Sequence, residues 1–191
     1  MSALDFLSPS NAKADARFRP VQRSAMQRRL AEHGAEFEER DGWLVATRIP
    51  GEENHALSIR DVTHLYAVHE GEGKPKAADG ALVHSVASRH TFAAVPAEKA
   101  GAAPKGFLDM TAAYAALEIA GPGAEVVMRR VTAHDLEDLP NVAPVSHVRS
   151  FIFRTGVESF VLFFNQEYGH YLWEVAVDAA APLGGGPASS G

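Results

Sequence analysis

The sequence predicts an α+β protein in which antiparallel sheets carry helices on one face. In the last third of the chain, strand and helix patterns follow one another in the order β-α-β-β-α, which is typical of that class. Two β-rich runs there are joined by Thr155-Gly156, a tight hairpin signal. A repeated sequence pattern indicates that a small α+β unit occurs twice. Together these observations predict a duplicated unit of the β-α-β-β-α type.

The first half of the chain contains one short helix pattern and several strand patterns. Residues 25–33 follow Ser24 and stop at Gly34, an arrangement of cap signals that predicts a helix. Strand patterns follow in WLVATRI, in two apolar segments at 56–60 and 63–69, and in the pair ALVHSV and TFAAV. The segments GEGKPKAADG and PAEKAGAAPKG have the composition of loops.

The last third of the chain has the clearest periodicity. Residues 115–121 alternate as a strand, and residues 124–132 carry apolar side chains at helical spacing. Residues 145–154 and 157–165 are the two strands of the predicted hairpin. Residues 168–180 predict a final helix. Its apolar stripe consists of Tyr168, Tyr171, Leu172, Val175, Ala176 and Ala179.

Two further apolar residues of this final helix, Trp173 and Val177, lie off the main stripe. A helix that is apolar on two sides is usually buried on both of them. The second side therefore packs either within the chain or against a partner subunit.

Two segments that lie 48 residues apart resemble each other. They are DVTHLYAVHEGEG at 61–73 and DMTAAYAALEIAGPG at 109–123. Each begins with the pattern Asp-aliphatic-Thr-x-x-Tyr-Ala, where x is any residue. A strand follows and ends in Gly-x-Gly. The corresponding residues are Thr63 and Thr111, Tyr66 and Tyr114, and Ala67 and Ala115. This match is the basis for the predicted duplication.

The composition excludes several classes of function. The 191 residues include no cysteine, so thiolate nucleophiles, disulfides and cysteine-based metal centres are excluded. The net charge of −6 and the scattered Lys and Arg do not predict the basic face that nucleic acid requires. No apolar run reaches about 18 residues, and the first residues lack a signal-peptide core. We therefore expect a cytoplasmic protein without a membrane span.

Composition also predicts the domain organisation. Residues 1–20 are polar and aperiodic, which predicts an extended or disordered arm. Residues 21–181 are expected to form a single domain, with 21–100 and 106–181 as alternative subdomains. Residues 182–191, with the sequence PLGGGPASSG, are expected to be a flexible tail.

The Gly121-Pro122-Gly123 segment looks at first like a phosphate-binding loop. A Walker loop has Lys-Ser/Thr after its glycines, and a Rossmann loop has a third glycine, but the residues that follow here are Ala124 and Glu125. Pro122 also removes one backbone N–H that an anion would use. The segment therefore predicts a turn between a strand and a helix.

Three residues are candidates for binding a ligand. Asp109 is suited to accept a hydrogen bond from a ligand amine, and Tyr114 to stack on an aromatic ring. Alternatively, Asp109 caps a loop and Tyr114 is half-buried in the sheet. Asn165 ends a strand before a helix, where it serves either as an N-cap or as a ligand contact. The nine histidines lack metal-binding spacing, so no metal site is predicted, and no catalytic triad or carboxylate pair stands out.

From Asp109 onward the chain resembles the folate-binding aminomethyltransferase superfamily. FLDMTAAYAALEIAGPGAEVVMRRVTAHDLEDLP is similar to its pattern of Asp-aliphatic-Ser/Thr, a strand, a Gly-Pro turn, an apolar helix and Asp-Leu. This superfamily includes the glycine-cleavage T-protein, the C-terminal part of the large subunit of heterotetrameric sarcosine oxidase, and the gamma subunit of that oxidase. RSFIFRTGVESFVLFFNQEYGHYLWEVAVDAA resembles the gamma subunit best. The resemblance spans 24–180 and is clear over 107–178.

The chain also departs from the T-protein pattern. That pattern has a Gly-Gly and a pair of aspartates between the hairpin strands, one of which contacts the reactive folate nitrogen, whereas VSHVRSFIFRTG has neither. The second half of a T-protein, which closes the folate site, is also absent from the sequence. Asn165 matches the asparagine that follows the second strand. The resemblance therefore implies a T-protein-like fold and at most half of a pterin site, with Asp109 and Tyr114 beside Asn165.

Two hypotheses of function follow from this resemblance. In the first, the chain is a non-catalytic, gamma-like subunit of a heteromeric, flavin-dependent and folate-linked amine oxidoreductase or demethylase. It would bind no cofactor alone, and the flavin would lie in a larger partner subunit. In the second, it is a stand-alone tetrahydrofolate-binding one-carbon protein, with a homodimer as one option for completing the pocket. A scaffold with another partner and no ligand is a third option.

Overall fold

The computed structural model describes residues 21–75, 78–101 and 103–191. The predicted arm at 1–20 lies outside the described residues. Three α-helices occur among the described residues, and they are α1 (Gln27–Glu32), α2 (Ala124–Val131) and α3 (Gly169–Ala180). The helices predicted at 25–33, 124–132 and 168–180 are therefore confirmed, with ends that differ by one or two residues.

Thirteen strands are present in the described part of the chain. Those before the middle of the chain are β1 (Gln22–Arg23), β2 (Glu36–Arg40), β3 (Trp43–Arg48), β4 (Ser58–Asp61), β5 (Tyr66–Gly71), β6 (Leu82–Ala87) and β7 (His90–Pro96). The later ones are β8 (Phe107–Asp109), β9 (Tyr114–Ala120), β10 (Asn141–Val145), β11 (Val148–Gly156), β12 (Ser159–Asn165) and β13 (Gly186–Ala188).

The strands form three sheets. A six-stranded sheet has the order β10-β11-β12-β9-β4-β13, a four-stranded sheet has the order β6-β7-β5-β8, and a three-stranded sheet has the order β1-β3-β2. Neighbouring strands are antiparallel except for the pairs β1–β3 and β13–β4. The predicted α+β class with antiparallel sheets is thus confirmed.

The six-stranded sheet is buried on both faces, and β12 shows how the sequence achieves this. Phe160, Leu162 and Phe164 point into a core that they share with α2 and α3. Val161 and Phe163 point the other way, into a second core against the four-stranded sheet. Successive side chains of a strand face opposite sides, so a strand buried on both faces reads as a continuous apolar run. Both helices that follow the strands of this sheet therefore lie on one face, as predicted.

The buried face of α3 differs from the predicted stripe. Leu172, Trp173 and Ala176 are buried, whereas the side chains of Tyr168 and Tyr171 are 44% and 43% exposed. The predicted stripe is therefore wrong by about one position. The second apolar side, which includes Trp173, is covered within the chain because Met26 and Leu30 beside or on α1 belong to the same core. A partner subunit is not what buries Trp173.

Five strands form outside the predicted strand segments, and they are the short strands β1 and β8 and three whose sequences do not favour strands, namely β2, β10 and β13. The sequence of β2, EFEER, is mostly charged, and β10 contains Pro144, but both strands lie at sheet edges, where such residues are tolerated. The third, β13, lies within 182–191, where a flexible tail is predicted. This prediction is wrong for Gly186–Ala188, which are buried in parallel register with β4. Just beyond them, the Ser189 N–H donates to the Glu52 carboxylate at 2.5 Å.

The two alternative subdomains, 21–100 and 106–181, are not separate in the structure. Strand β4 from the first half pairs with β9 in the six-stranded sheet, and β8 from the second half pairs with β5 in the four-stranded sheet. Each of these sheets thus contains strands from both halves, and the halves interlock.

The predicted repeat appears as two equivalent corners. In each corner a short 3₁₀ turn, Thr63–Leu65 or Thr111–Ala113, leads into a long strand that begins at Tyr66 or Tyr114. The corners exchange matching hydrogen bonds. These run from Val62 N to Ala116 O (3.0 Å), from Met110 N to Val68 O (2.8 Å), from Ala116 N to the Thr63 hydroxyl (3.0 Å) and from Val68 N to the Thr111 hydroxyl (2.9 Å). Each threonine thus satisfies a backbone N–H of the other copy.

The glycines at the ends of the repeated segments have the same role in both copies. A Cβ on Gly71, at the end of β5, would lie 2.3 Å from the carbonyl oxygen of Gly106, just before β8. A Cβ on Gly121, after β9, would lie 2.1 Å from the carbonyl oxygen of Ala56, just before β4. In both places the backbone of the other copy crosses too closely for any side chain.

Candidate functional site

An open groove lies beside the first corner, and we call it the corner groove. It has two adjoining parts of about 810 and 510 Å³ that share Trp43, His64, Tyr66 and Ala97. Trp43 comes from the start of β3, while His64 and Tyr66 come from the first repeated segment. The smaller part is also lined by Asp109 and by other residues of the second repeated segment. The two copies of the repeat therefore meet at this groove.

The ionisation states in the corner groove are set by burial and by neighbouring charges. Burial lowers the pKa of the half-buried His64, and the nearby Arg40 charge lowers it further. Burial raises the pKa of Tyr66, and the Glu118 carboxylate adds to this effect. At neutral pH the groove therefore offers two aromatic side chains, Trp43 and Tyr66, together with a neutral imidazole.

Asp109 contributes a carboxylate to the corner groove. Its side chain accepts a hydrogen bond from the Thr111 N–H at 3.0 Å, so it caps the turn that follows it. Hydrogen bonds from the Thr111 backbone and side chain lower the pKa of Asp109, and the nearby His69 acts in the same direction. Asp109 is exposed and ionised, and the second oxygen of its carboxylate can accept a hydrogen bond from a ligand.

Tyr114 lies between the two large sheets and outside the corner groove. Its ring packs against Phe92 and Phe151, with ring centroids 5.4 and 6.0 Å away. Its hydroxyl donates to the Glu70 carboxylate on β5. Burial raises the pKa of Tyr114, and the hydrogen bond to Glu70 raises it further. This packing places the ring in the interior, where it joins the two sheets.

Asn165 lies at the exposed end of β12, directly opposite Tyr114 in the β12–β9 register. Its side chain makes no capping hydrogen bond to the 3₁₀ turn that follows. Instead the amide group donates to the Glu167 carboxylate at 3.4 Å. The N-cap interpretation is therefore wrong, and the ligand-contact interpretation remains a hypothesis.

The three predicted site residues do not converge on one cavity. Asp109 lines the corner groove, Tyr114 lies between the sheets and Asn165 is on the surface. The residues that do accompany Asp109 are Trp43, His64 and Tyr66. Only Tyr66 had a signal in the sequence, as the counterpart of Tyr114 in the repeat.

Asp61 occupies the position in the first corner that Asp109 occupies in the second, but its environment is the opposite. It accepts hydrogen bonds from the Thr63 N–H at 3.1 Å and from the Thr63 hydroxyl at 2.7 Å, and it is buried. Burial raises the pKa of Asp61, although the hydroxyls of Ser24 and Thr63 oppose this shift. One motif thus places an ionised carboxylate at the groove and a carboxyl with a raised pKa in the interior.

The raised pKa of Asp61 predicts that the free energy of unfolding depends on pH, and that Asp61→Asn removes this dependence. With its pKa raised on folding, Asp61 keeps a proton in the folded state at pH values just above its unfolded pKa of about 3.9. Its contribution to stability is therefore full below that value and is lost as pH rises through the folded pKa. Relative to wild type, Asp61→Asn should become more stable as pH rises from 4 to 8, as measured by urea unfolding.

Asp61→Leu is the matched control, since it leaves the Thr63 N–H without its acceptor. We expect it to be less stable than Asp61→Asn by about 1–3 kcal/mol at every pH in the series, because neither variant titrates at this position. A constant stability difference between wild type and Asp61→Asn across the series would contradict the assignment of a raised pKa to Asp61.

Comparison with known proteins adds the following findings. No family model matches the sequence, and no curated protein matches it. A chain of heterotetrameric sarcosine oxidase from Corynebacterium sp. U-96, solved in complex with pyrrole 2-carboxylate, is similar with a TM-score of 0.62 and 16% identity, over 85% of this chain and 96% of that one. The glycine cleavage system aminomethyltransferase T from Bartonella henselae is similar with a TM-score of 0.61 and 13% identity, over 88% of this chain and 60% of that one.

The chain has the T-protein-like fold. Both similar structures match the superfamily that the sequence resembles, so this prediction is confirmed. Because the identities are 16% and 13%, the likeness shows the T-protein-like fold alone. The chain spans nearly the whole of the sarcosine oxidase chain but only 60% of the aminomethyltransferase.

Two further features concern the described residues only. Among residues 21–75, 78–101 and 103–191, no three His, Cys, Asp or Glu side chains lie close enough together to hold a metal ion. Within the same ranges, the helices are too short or too polar to cross a membrane.

Proposed function

We propose that this chain is a small, gamma-like subunit of a heteromeric, flavin-dependent and folate-linked amine oxidoreductase or demethylase. In this role it contributes structure to a complex whose larger flavoprotein subunits hold the flavin. It carries out no catalysis alone. We expect such a complex to be located in the cytoplasm.

The observation that carries this proposal is the extent of the structural match. The match covers 96% of a chain of heterotetrameric sarcosine oxidase, against 60% of the aminomethyltransferase. A chain that matches a component of a hetero-oligomer almost from end to end has the size and fold of such a component. The sequence between Val145 and Gly156 also lacks the aspartates of the T-protein pattern, which favours a subunit over an independent methyltransferase.

The proposal predicts a stoichiometric complex with a flavoprotein. The tagged chain would be co-expressed with candidate flavoprotein subunits from the same organism, and the purified material examined by size-exclusion chromatography with light scattering and flavin absorbance. We expect co-elution in a complex of fixed stoichiometry, and no retention of an unrelated monomeric amine oxidase used as control. A monodisperse chain that elutes alone in both cases would overturn the proposal.

A second candidate function is supported by the corner groove. Trp43 and Tyr66 offer surfaces on which a flat ring can stack, and the ionised Asp109 can accept hydrogen bonds from ring N–H groups. A pterin has both features. We therefore propose, as the alternative, a tetrahydrofolate-binding one-carbon protein, with a second copy of the chain as a candidate to complete the site.

Calorimetry with tetrahydrofolate and 5-formyltetrahydrofolate tests this alternative. Saturable binding is expected, and Asp109→Asn should weaken it about tenfold or more, because a charged hydrogen-bond acceptor is lost. Asp79→Asn is the matched control, since Asp79 is a fully exposed carboxylate outside the lining of the groove. Absence of heat at high micromolar ligand, or equal weakening in both variants, would remove this function.

A further inference from the structure

A second pocket, distinct from the corner groove, lies where the end of α2 meets the turn between β10 and β11. We call it the turn pocket, and it has a volume of about 530 Å³. Its polar lining consists of Arg129, Arg130, Thr132, His134, Ser146 and His147. Each of its ionisable lining side chains is of a basic type, although the chain as a whole has a net charge of −6. The lining of the pocket is therefore basic in an acidic protein.

The hydrogen bonds around the turn pocket use only part of the donor capacity of its two arginines. Arg129 at the rim is held by Glu125 at 2.8 and 3.1 Å, and the charges of Asp135 and Glu137 also act on it. Arg130 donates one N–H to the Ala179 carbonyl at 2.8 Å. A guanidinium has five N–H donors in a planar fork that matches an oxyanion. Arg130 is therefore the positively charged side chain of the pocket whose remaining N–H groups are available to bind an oxyanion.

His134 is fixed in place at the wall of the turn pocket. The Thr132 hydroxyl donates to the Pro144 carbonyl at 2.8 Å and accepts from the His134 N–H at 3.2 Å. This arrangement holds the backbone of His134 against β10. Its Nε2 atom is buried and has no hydrogen-bond partner in the described structure. Because this nitrogen has almost no accessible surface, it is packed inside the wall of the turn pocket and does not face the cavity.

His147 reaches the turn pocket from a strained backbone. Ser146 and His147 form the two-residue turn between β10 and β11, and their φ angles are +43° and +72°. Such a turn favours Asn-Gly, because both central residues need positive φ. The turn is held by the Ser146 N–H, which donates to Val131 O at 2.7 Å, and by the Tyr171 hydroxyl, which donates to Ser146 O at 3.1 Å. Strained non-glycine residues of this kind cluster at ligand sites.

We propose that the turn pocket binds the phosphate or carboxylate group of a small molecule. Arg130 supplies the charged fork, and His147 donates a ring N–H group to the same oxyanion. The basic lining and the positive φ angles of the turn are two separate observations that support this ligand class. The site is independent of the subunit role and of the corner groove.

Binding can be tested on the full chain by ¹H–¹⁵N NMR, with inorganic phosphate and succinate as separate probes at an ionic strength held constant with NaCl. Saturable shifts of the Ser146, His147 and His134 amides are expected, and the tighter of the two probes identifies the source of the oxyanion. Arg130→Gln should weaken binding at least about tenfold. Arg89→Gln, at a remote and 86% exposed side chain, should leave it unchanged.

The double variant Ser146→Asn/His147→Gly separates the ligand role from a structural one. It supplies the residues that the turn favours, so its Tm should rise by about 2–4 °C, while phosphate or succinate binding falls. Shifts that do not saturate, or variants that bind both probes as tightly as wild type, would overturn the proposal. His147→Asn, which tolerates positive φ, serves as a second variant if Arg130→Gln fails to fold.

Discussion

Gly121→Ala is expected to cost about 3 kcal/mol or more in the free energy of unfolding. The new Cβ would lie 2.1 Å from the carbonyl oxygen of Ala56, an atom of the backbone that cannot move aside as a flexible side chain would. Overpacking of this kind costs about 1–3 kcal/mol or more, and the φ of +112° adds about 1–2 kcal/mol of strain for an L-residue. Urea unfolding at pH 7 measures the loss.

Gly123→Ala is the matched control within the same turn. Gly123 also has a left-handed φ, of +89°, but its new Cβ would meet only side-chain atoms, of Leu183 at 3.6 Å and of Leu57 at 3.9 Å. It should therefore lose only the strain contribution of about 1–2 kcal/mol. Equal losses in the two variants would show that the close crossing of backbones after β9 does not decide the effect.

Trp173→Ala is expected to destabilise the protein by about 3–5 kcal/mol, the range for removing a large aromatic side chain from a core. Trp173 has no exposed surface, and it lies in the core that α3 shares with Met26 and Leu30. Its loss would leave a cavity beneath α1, which is only six residues long and depends on this packing. The change would lower the unfolding midpoints in heat and in urea.

Trp173→Phe distinguishes lost packing from a lost hydrogen bond. The indole Nε1 is buried without a hydrogen-bond partner in the described structure, so phenylalanine removes no polar interaction. We expect a smaller loss of about 1–2 kcal/mol. Tyr168→Ala, at an exposed position just before α3, should change stability by less than about 0.5 kcal/mol. A loss for Trp173→Phe as large as that for Trp173→Ala would contradict this account.

Several elements of the fold could be predicted from the sequence because the residues that specify each of them lie close together in the chain. The hairpin of β11 and β12, the helices α2 and α3 and the repeated corners all have periodicity of their own. The predicted position of the hairpin turn is wrong by two residues, because Thr155 and Gly156 belong to β11 and the turn lies at 157–158. Which face of α3 is buried could not be predicted from the sequence. Tyr168 and Tyr171 read as apolar on a helix that carries apolar residues on two sides, and only the position of α1 decides which side is covered.

Pairing between strands that are distant in the sequence explains the other differences between the predicted and the observed elements. Strands β2, β10 and β13 have charged, proline-containing or glycine-rich sequences, and they become strands because a neighbouring strand offers an edge. The candidate site was predictable only in part for the same reason. Asp109 stood out in its motif, whereas Trp43 and His64 reach the corner groove from separate elements that only the tertiary fold brings together.

The reciprocal corners have a consequence for how this protein is made. Since β4 completes a sheet with β9 and β8 completes another with β5, neither half can bury its own core before the other has been synthesised. On the ribosome, the first hundred residues would emerge with an incomplete sheet and an unpaired edge. We therefore expect the six-stranded sheet to form only after β9 has left the exit tunnel, and the nascent first half to be prone to aggregation until then.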